Sequence, residues 1–405
     1  MPQLFYGQWV PQVSGTTENL NDVFAVTENL VFAVGNNGTI LKTTDGGSTW
    51  VQKTSGTTQN LTKVQFANQN VGFVIGFNGV LLKTINGGDN WNLTTTNIST
   101  NLYGLSVINE NIFIISGLNG LINKTTDGGI TFSVLGIPEN NIVSKIQFYG
   151  QLVGFAQVGD YEINLLFTQT NNKLYKTLNG GLSWNLVTDS IDTFYFVNEN
   201  LGFISKVDNH SINKTINGGQ DFNYIAQSNI NEKDIFSVNG NTIWDLGNSL
   251  SLCSCDYFCI GKKEIVDFTV IQETPSCKNI FFGGDRFNSI NFFNETVGYT
   301  VGFTGVIHKN NTGLNESLSN LRFEKSKFFT ISPNPTNEQL NVSFDNIQFE
   351  SIKIEISDSL GKKVLSNFYQ PIEIIKIDTK SFSKGIYFLT VSTAEVKQTQ
   401  KLIIN

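Results

Sequence analysis

The chain has 405 residues, a formal net charge of −7, a hydrophobic fraction of 40% and an aromatic fraction of 12%. These values are typical of a folded protein of two or three domains and exclude a disordered chain. No apolar run reaches the length of a membrane span, so no transmembrane segment is predicted. Basic residues do not cluster, which argues against nucleic-acid binding.

A short motif repeats through the first three quarters of the chain. Its five strong copies are KTTDGGSTW, KTINGGDNW, KTTDGGITF, KTLNGGLSW and KTINGGQDF. Their turn residues, together with a weaker sixth copy and a seventh unit, are Asp45, Asn86, Asp127, Asn179, Asn217, Asp256 and Asn311. A recurrence every 38 to 55 positions indicates a repeat architecture.

Each repeat is predicted to form four short strands. In the first repeat the strands are expected at 20–26, 30–34, 39–43 and 49–54. Gly35-Asn-Asn-Gly38 and Asp45-Gly46-Gly47 separate them, because Asn or Asp followed by Gly suits turn positions with positive φ. Four strands at a period of about 40 residues are typical of a β-propeller blade. We therefore predict an all-β fold with a seven-bladed propeller over residues 1–312.

The N-terminus supplies a strand that the last repeat lacks. Trp9-VPQVSGTTENL matches Trp50-VQKTSGTTQNL almost residue for residue, whereas no aromatic fourth strand follows Asn311. We expect the segment from Trp9 to Ser14 to complete the seventh blade. Closure of the ring in this way removes the open edges of the array.

The repeated motif resembles the Asp-box, or bacterial neuraminidase repeat, S/T-x-D-x-G-x-T-W. The longer pattern VGFVIGFNGVLLKTINGGDNW is similar to the repeats of photosystem II assembly-factor propellers. The resemblance covers roughly residues 9–312 and implies a scaffold or chaperone-like propeller.

A different pattern follows a polar linker at 313–326. Residues 327–405 contain short alternating strands, which predict a small Ig-like β-sandwich. This domain resembles the type A sorting domain of the type IX secretion system of Bacteroidota. The motifs that carry the resemblance are Pro333-Asn334-Pro335, Leu360-Gly361-Lys362-Lys363-Val364, Gly385-Ile386-Tyr387-Phe388 and Lys401-Leu402-Ile403-Ile404.

The sorting-domain resemblance implies a route out of the cell. It implies passage through the periplasm, recognition by the type IX translocon, and release or display at the outer-membrane surface. In the family the domain is usually removed, and cargo is released or attached to surface lipopolysaccharide. Such cargo carries a signal peptide, whereas Met1-PQLFYGQWV has neither a basic segment nor an adequate apolar segment. We therefore expect this sequence to represent a mature or truncated start.

The four cysteines, Cys253, Cys255, Cys259 and Cys277, lie within one 25-residue stretch. On a strand, Cys253 and Cys255 point to one face and are poorly placed to bridge each other. Each is expected to pair with Cys259 or Cys277, because implied export favours disulfides. A zinc site is the alternative.

Few residues suited to catalysis are available. The two arginines, Arg286 and Arg322, cannot form the three-arginine carboxylate clamp of a sialidase. The two histidines, His210 and His308, have no nucleophile motif beside them. A glycosidase that uses two carboxylates stays open as an alternative. No catalytic residue, cofactor or metal site is predicted.

The Asp-box residues are predicted to have a structural role. Asn replaces Asp in three of the five strong copies, which preserves an Asx turn but would abolish acid–base chemistry. The ordered oxygen ligands of an EF-hand are also missing. The residues with this structural role are Asp45, Asn86, Asp127, Asn179, Asn217 and Asp256.

The turns between second and third strands, with the connections between blades, are predicted to line a ligand face. Asn side chains there offer uncharged donors and acceptors that suit sugar hydroxyls or a peptide backbone. The fourth repeat carries 11 extra residues, because its spacing is 52 instead of 41. The candidate ligand-binding residues are Asn37, Asn78, Asn119, Asp160, Tyr161, Glu162 and His210. The alternative is that the turn residues serve geometry alone.

The whole sequence favours a secreted or surface-displayed propeller that binds a glycan or another protein without chemistry. One alternative is a glycoside hydrolase acting on an extracellular polysaccharide, which predicts two carboxylates across the channel mouth. Another alternative is a component of adhesion or surface motility.

Overall fold

Strands make up nearly all regular structure in the computed structural model of this chain. The structure describes residues 9–159, 172–227, 230–249, 258–266, 269–274, 287–310, 329–344, 352–358, 362–370, 372, 374–392 and 397–404. Within these ranges the helical elements are two three-residue 3-10 turns, Phe77–Gly79 and Phe303–Gly305. None of the described segments forms a helix long and apolar enough to cross a membrane. The predicted all-β class is confirmed.

The chain divides into two compact units, Met1–Asn315 and Glu316–Asn405. In the described part of the first unit there are seven four-stranded sheets. Six of them each contain four consecutive antiparallel strands. The first three are β2 (Leu20–Ala25), β3 (Val31–Gly35), β4 (Ile40–Thr43), β5 (Val51–Lys53); β6 (Leu61–Phe66), β7 (Gly72–Gly76), β8 (Leu81–Thr84), β9 (Asn92–Thr94); and β10 (Leu102–Val107), β11 (Phe113–Gly117), β12 (Ile122–Thr125), β13 (Ser133–Leu135).

The next three sheets follow the same order. They are β14 (Ile142–Tyr149), β15 (Val153–Gly159), β16 (Lys173–Thr177), β17 (Asn185–Thr188); β18 (Ile191–Phe196), β19 (Gly202–Lys206), β20 (Ser211–Thr215), β21 (Asn223–Gln227); and β22 (Ile230–Phe236), β23 (Thr242–Ser249), β24 (Phe258–Val266), β25 (Thr269–Thr274).

The seventh sheet joins the two ends of the unit. It contains β26 (Phe287–Phe292), β27 (Gly298–Gly302), β28 (Ile307–Asn310) and β1 (Trp9–Gln12). β1 pairs antiparallel with β28, with Trp9 opposite Asn310. The first strand of this sheet, β26, contacts both β2 and β22. The sheet is therefore a neighbour of both β2–β5 and β22–β25.

Burial follows the position of a strand within its sheet. The second strands are buried on both faces, as in the fully buried runs VFAVG of β3 and GFVIG of β7. The fourth strands β5 and β9 are mostly exposed. Aromatic rings fill the space between sheets: Trp91 lies edge-on to Phe32 of the preceding sheet at 6.1 Å, and Trp50 lies edge-on to Tyr299 at 6.2 Å. The apolar core is therefore distributed between neighbouring sheets.

A lysine on the third strand also links neighbouring sheets. Lys83 Nζ donates to the carbonyl oxygen of Gly128 at 3.0 Å, and Lys176 Nζ donates to that of Gly218 at 2.7 Å. Lys309 of β28 donates in the same way to Gly46 of the first sheet at 2.6 Å. Each ammonium group thus ties one sheet to the Asp-box turn of the next.

The seam between β28 and β1 contains a buried histidine. His308 is 2% exposed, faces the Phe287 ring at 5.1 Å and stands opposite Pro11 in the ladder. Burial lowers the pKa of His308 to about 4 from an ordinary value of 6.5. In the unfolded chain the His308 side chain is therefore protonated below about pH 6.5. In the folded chain it is protonated only below about pH 4.

We expect this difference to destabilise the first unit between pH 6.5 and pH 4, by up to about 3 kcal/mol at the acid end. Urea unfolding at pH 7 and pH 4.5 measures the loss. His308→Leu should flatten the dependence, because buried Leu82 holds the same ladder position in the second sheet. Val13→Ser is the control, because Val13 follows β1, is 88% exposed and carries no titratable group, so it should leave the pH dependence intact. An unchanged slope in His308→Leu would assign the acid sensitivity to another group.

The second unit contains two sheets around one apolar core. The three-stranded sheet has the order β29 (Phe329–Ser332), β30 (Gln339–Phe344), β33 (Ile374–Asp378). The four-stranded sheet has the order β32 (Lys363–Tyr369), β31 (Ile352–Asp358), β34 (Gly385–Ser392), β35 (Lys397–Ile404). Buried side chains of both sheets, such as Val342 and Leu389, meet in this core.

Candidate ligand-binding face

The turns between second and third strands share one backbone conformation. Asn37, Asn78, Asn119 and Thr304 have φ between 51° and 60°, and each is followed by a glycine with positive φ. Each turn is closed by a hydrogen bond from a backbone N–H to the carbonyl oxygen three residues earlier, for example from Thr39 to Asn36 at 3.0 Å. Two consecutive residues with positive φ define a type I′ hairpin turn, which Asn–Gly adopts readily.

Each turn is fixed to the connection that leads to the next sheet. The N–H of Asn37 donates to Oδ1 of Asn60 at 3.1 Å, and the N–H of Asn78 donates to Oδ1 of Asn101 at 3.1 Å. Glycine is required beside them, since a Cβ on Gly79 would lie 1.8 Å from the carbonyl oxygen of Ile98. The turns and connections therefore form one rigid surface, which we call the turn face.

The structure places several predicted ligand residues on the turn face. The side chains of Asn37, Asn78 and Asn119 are exposed, and that of His210 is half-buried with φ at 47°. Nδ2 of Asn78 donates to Oε1 of Gln59 at 2.8 Å. Asp160, Tyr161 and Glu162 lie outside the described residues. The role of all seven residues in binding stays a prediction.

Aromatic side chains stand beside these amides. Phe77 precedes Asn78 and is half-buried, and its ring lies edge-on to Tyr103 at 5.9 Å. Phe303 occupies the same place before Thr304 and is also half-buried. Sequence reasoning missed these rings, although the variable residue of the G-x-N-G turns points to them. Aromatic rings next to amides give the face both apolar contact area and hydrogen-bonding groups.

A bulge places one residue of every first strand at an equivalent position near the turn face. In all seven sheets in the described part of the first unit, the pairing of first and second strands shifts by one residue there. The residues after the bulge, which we call the inner ring, are Asp22, Lys63, Gly104, Lys145, Thr193, Asp234 and Ser289. They lie close to the turns because Leu20, two residues before Asp22, pairs with Gly35.

The charged members of the inner ring pair with one another. Lys63 Nζ lies 2.9 Å from Oδ1 of Asp22, which also accepts from Ser289 Oγ at 2.9 Å. Lys145 Nζ lies 2.7 Å from Oδ1 of Asp234 and also donates to Oγ1 of Thr193, in the sheet between them, at 3.4 Å. Although burial disfavours its charged form, the carboxylates of Asp22 and Asp234 raise the pKa of Lys63. The inner ring is therefore a mutually neutralised network. Sequence reasoning missed it because the pairs come from separate repeats.

A half-buried acid, Glu139, lies near the turn of the third sheet. Oε1 of Glu139 accepts from Lys173 Nζ at 2.6 Å and from the Tyr175 hydroxyl. Partial burial opposes ionisation of Glu139, but these bonds lower its pKa. Burial and the neighbouring carboxylate raise the pKa of Tyr175 to about 12. Glu139 is thus an ionised anchor for β16, the third strand of the fourth sheet.

The Asp-box turns lie at the other end of the sheets. Oδ1 of Asp45 accepts the Thr49 N–H at 2.9 Å, and Oδ2 accepts the Thr49 hydroxyl at 2.6 Å. These hydrogen bonds from Thr49 lower the pKa of Asp45 to about 2. Asn179 keeps the same turn, since its Oδ1 accepts the Ser183 N–H at 3.0 Å. The hydroxyl bond is reversed in direction, because Nδ2 of Asn179 donates to Ser183 Oγ at 2.8 Å. The turn therefore needs an acceptor for the backbone N–H and not an acid.

Several predicted positions lie outside the described residues. These are Asp256, Asn311, the linker 313–326, Gly361, Cys253, Cys255 and Cys277. Cys259 belongs to β24. The disulfides therefore stay a prediction. The other sorting residues are described: Pro333, Asn334 and Pro335 follow β29, Gly385 begins β34, and Lys401 belongs to β35.

In the described part of the first unit, most neighbouring four-stranded sheets contact through their first strands and enclose apolar clusters between them, as the blades of a β-propeller do. Residues 3–85 and 54–251 match the family described as photosynthesis system II assembly factor YCF48, and these matches together span more than half of the chain. The chain belongs to this family. Residues 330–405 match the secretion system C-terminal sorting domain. Both predicted resemblances are confirmed.

Solved structures similar to the chain are propellers of several kinds. The chain is 18% identical to "YCF48 bound to D1 peptide", with a TM-score of 0.60 over 77% of this chain and 99% of that chain. It is 16% identical to YCF48 from Cyanidioschyzon merolae, with a TM-score of 0.58 over 75% and 98%. An ancestral GH74 enzyme is 11% identical, with a TM-score of 0.53 over 97% and 63%. These likenesses show the fold alone. No curated protein is significantly similar.

The sorting domain implies export by the type IX secretion system of Bacteroidota. The protein is therefore secreted or located at the cell surface, as predicted. The propeller family indicates a role in binding or as a scaffold.

Proposed function

We propose that the chain is an exported seven-bladed propeller, closed by β1, that binds a polypeptide ligand on its turn face. The sorting domain that delivers it spans residues 327–405, after a propeller over 1–312 and a linker at 313–326. We assign no catalytic activity to the chain. The observation that carries the proposal is the division of polar groups at this face, where charges are paired internally, amides are exposed and half-buried aromatic rings lie beside them.

Internal pairing of the inner ring favours binding over glycoside hydrolysis. A hydrolase needs one carboxylic acid and one carboxylate facing the scissile bond. Asp22 and Asp234 instead each accept from a lysine within 2.9 Å, so both carboxyl groups are engaged inside the protein. The described inner ring thus offers no facing pair of free acids.

Uncharged groups on a rigid surface favour an extended peptide. The amides of Asn37 and Asn119 can each donate to and accept from a peptide bond. The neighbouring rings of Phe77 and Tyr103 offer apolar contact for side chains. Because the turns are fixed by type I′ geometry and by Asn60 and Asn101, little order is lost on binding. The YCF48 solved with a D1 peptide shares this fold and supports the class of ligand.

The test removes the amides and keeps the turns. Asn37→Gly and Asn119→Gly retain positive φ, because glycine adopts that region freely. Binders of the full chain are selected from a displayed random-peptide library, and their affinities for the double variant are then measured. We expect about tenfold weaker binding, since two hydrogen bonds contribute about 0.5–1.5 kcal/mol each.

Gln220→Ala is the matched control, because Gln220 is exposed on an Asp-box turn at the other end of the sheets. It should bind as the wild type does. Equal weakening by the control would remove the turn face from the proposal. The full chain is also incubated with a polysaccharide panel: chain cleavage of any polymer would replace the proposal with a hydrolase. Retention on a polymer, with no peptide binder, would replace the peptide with a glycan.

A further inference from the structure

Sorting motifs that are far apart in the sequence meet at one end of the second unit. The Pro333-Asn334-Pro335 motif follows β29, and Lys401 lies near the end of β35. Oδ1 of Asn334 accepts the N–H of Ile403 at 2.9 Å, and Nδ2 donates to the carbonyl oxygen of Lys401 at 2.8 Å. On its opposite side β35 pairs with β34, where Gly385 stands opposite Ile404. Three of the four motifs therefore share one site.

The Asn334 side chain replaces a neighbouring strand. β35 is the outer strand of its sheet, so one edge of its backbone has no partner strand within that sheet. The amide of Asn334 pairs with a C=O and an N–H two residues apart on that edge, as the N–H and C=O of one residue in a parallel partner strand would. The N–H of Thr336 adds a bond to the Ile403 carbonyl oxygen at 2.9 Å. The Pro333–Thr336 segment thus covers the last residues of the β35 edge, which would otherwise be open to pairing with another strand.

The covered edge positions exposed groups on the sheet surface. Lys401 stands opposite Phe388, and Ile403 stands opposite Ile386. Phe388 and Ile386 are each 44% exposed and lie two positions apart on β34, so they present apolar surface beside Lys401 and Ile403. Their surroundings depend on where the last residues of β35 lie. Asn334 fixes those residues through two bonds of opposite polarity.

We propose that Asn334 is a positioning residue whose two side-chain bonds hold Lys401 and Ile403 of the C-terminal strand in place; we call these two bonds the latch. We propose further that the export machinery recognises the strand end held by the latch as a folded site instead of a linear tail. The inference rests on the sorting function and assigns its motifs a shared geometry. Pro333-Asn334-Pro335 supplies the latch, and Lys401 to Ile404 supplies the strand that is latched. Phe388 and Ile386 supply exposed apolar surface beside it.

Two substitutions separate the two halves of the latch. Asn334→Ala removes both bonds, whereas Asn334→Asp keeps an acceptor for the Ile403 N–H and loses the donor to Lys401. We expect Asn334→Ala to raise hydrogen exchange of the Ile403 amide at least tenfold and to lower the exported fraction several-fold in a type IX-competent host. Asn334→Asp should fall between Asn334→Ala and the wild type in both measurements.

Controls distinguish a latch from a general loss of stability. Asn367→Ala changes an exposed Asn on β32 and should export normally. Ile354→Val removes one buried methyl group of the same sheet, loosens the core and leaves the Asn334 bonds in place. It should export normally although the unit melts earlier. An export loss in Ile354→Val equal to that in Asn334→Ala would overturn the proposal in favour of stability alone.

The remaining outcomes also decide the matter. Unchanged exchange of Ile403 in Asn334→Ala would show that no latch exists. Faster exchange with full export would show that the machinery does not read the latched end. A chain without residues 327–405 tests the sorting function separately: it should stay in the cell, and its export would refute the sorting role before the latch is judged.

Discussion

A chain that lacks residues 1–12 should unfold roughly 8 °C below the full chain. The deletion removes β1 and with it Trp9, whose ring lies 5.9 Å from both Trp244 and Phe292. Loss of a large packed aromatic side chain costs about 3–5 kcal/mol, and a unit of this size shifts by roughly 2 °C per kcal/mol. The deletion also exposes β28 as an open edge, so we expect concentration-dependent association. Differential scanning calorimetry and light scattering measure the two effects.

Val13→Ser is the control for this deletion. Val13 follows β1 and is 88% exposed, so its substitution should leave the melting temperature unchanged. Trp9→Ala should reproduce most of the loss in melting temperature, because that loss comes from the ring, but it should not associate, because it keeps the β1 backbone in the ladder. A deletion variant that melts with the full chain would show that β1 does not stabilise the first unit.

Lys263→Ala should destabilise the first unit by about 3–5 kcal/mol. Lys263 Nζ lies 2.8 Å from Oδ2 of Asp245, and these side chains are 1% and 0% exposed. Removal of one member of a buried ion pair leaves the other charged in a medium of low polarity. Urea unfolding at pH 7 measures the free energy of unfolding of the variant and the wild type.

The double substitution Lys263→Met with Asp245→Leu should recover most of the lost stability, since neither charge is then left unpaired. Lys53→Ala is the surface control, because the ammonium group of Lys53 lies 3.2 Å from Asp89, which is 59% exposed. That variant should lose less than about 1 kcal/mol. A Lys263→Ala variant as stable as the Lys53→Ala variant would contradict the buried character of the pair.

Much of the fold could be predicted because the repeats carry local signals. Asn–Gly and Asp–Gly pairs require positive φ, so turns such as Asn78–Gly79 are visible in the sequence without any tertiary information. The match between Trp9 and Trp50 segments identified β1 as a fourth strand. The sorting motifs, ordered up to Lys401, identified the second domain.

The contacts between repeats could not be predicted in the same way. Lys145 and Asp234 belong to different repeats and are brought together only because the first strands surround a common centre. Nothing local marks Lys263 as buried, since the run Lys262-Lys263-Glu264 within a strand is usually solvated. The bonds from Asn334 to Lys401 and Ile403 join the two ends of one domain. Sequence patterns identified these residues as motifs but not as neighbours.

The lysine contacts between sheets have a consequence for the order of events during synthesis. Most of them join successive sheets, so each can form as soon as the next repeat has emerged. The contact from Lys309 to Gly46 is different, because its partners are 263 positions apart. Until β28 appears, Gly46 lacks its ammonium donor and β1 lacks its strand. Loop closure of this length delays folding. The sorting domain is synthesised after β28. When synthesis of this domain is complete, all strands from β1 to β28 are therefore already available to fold.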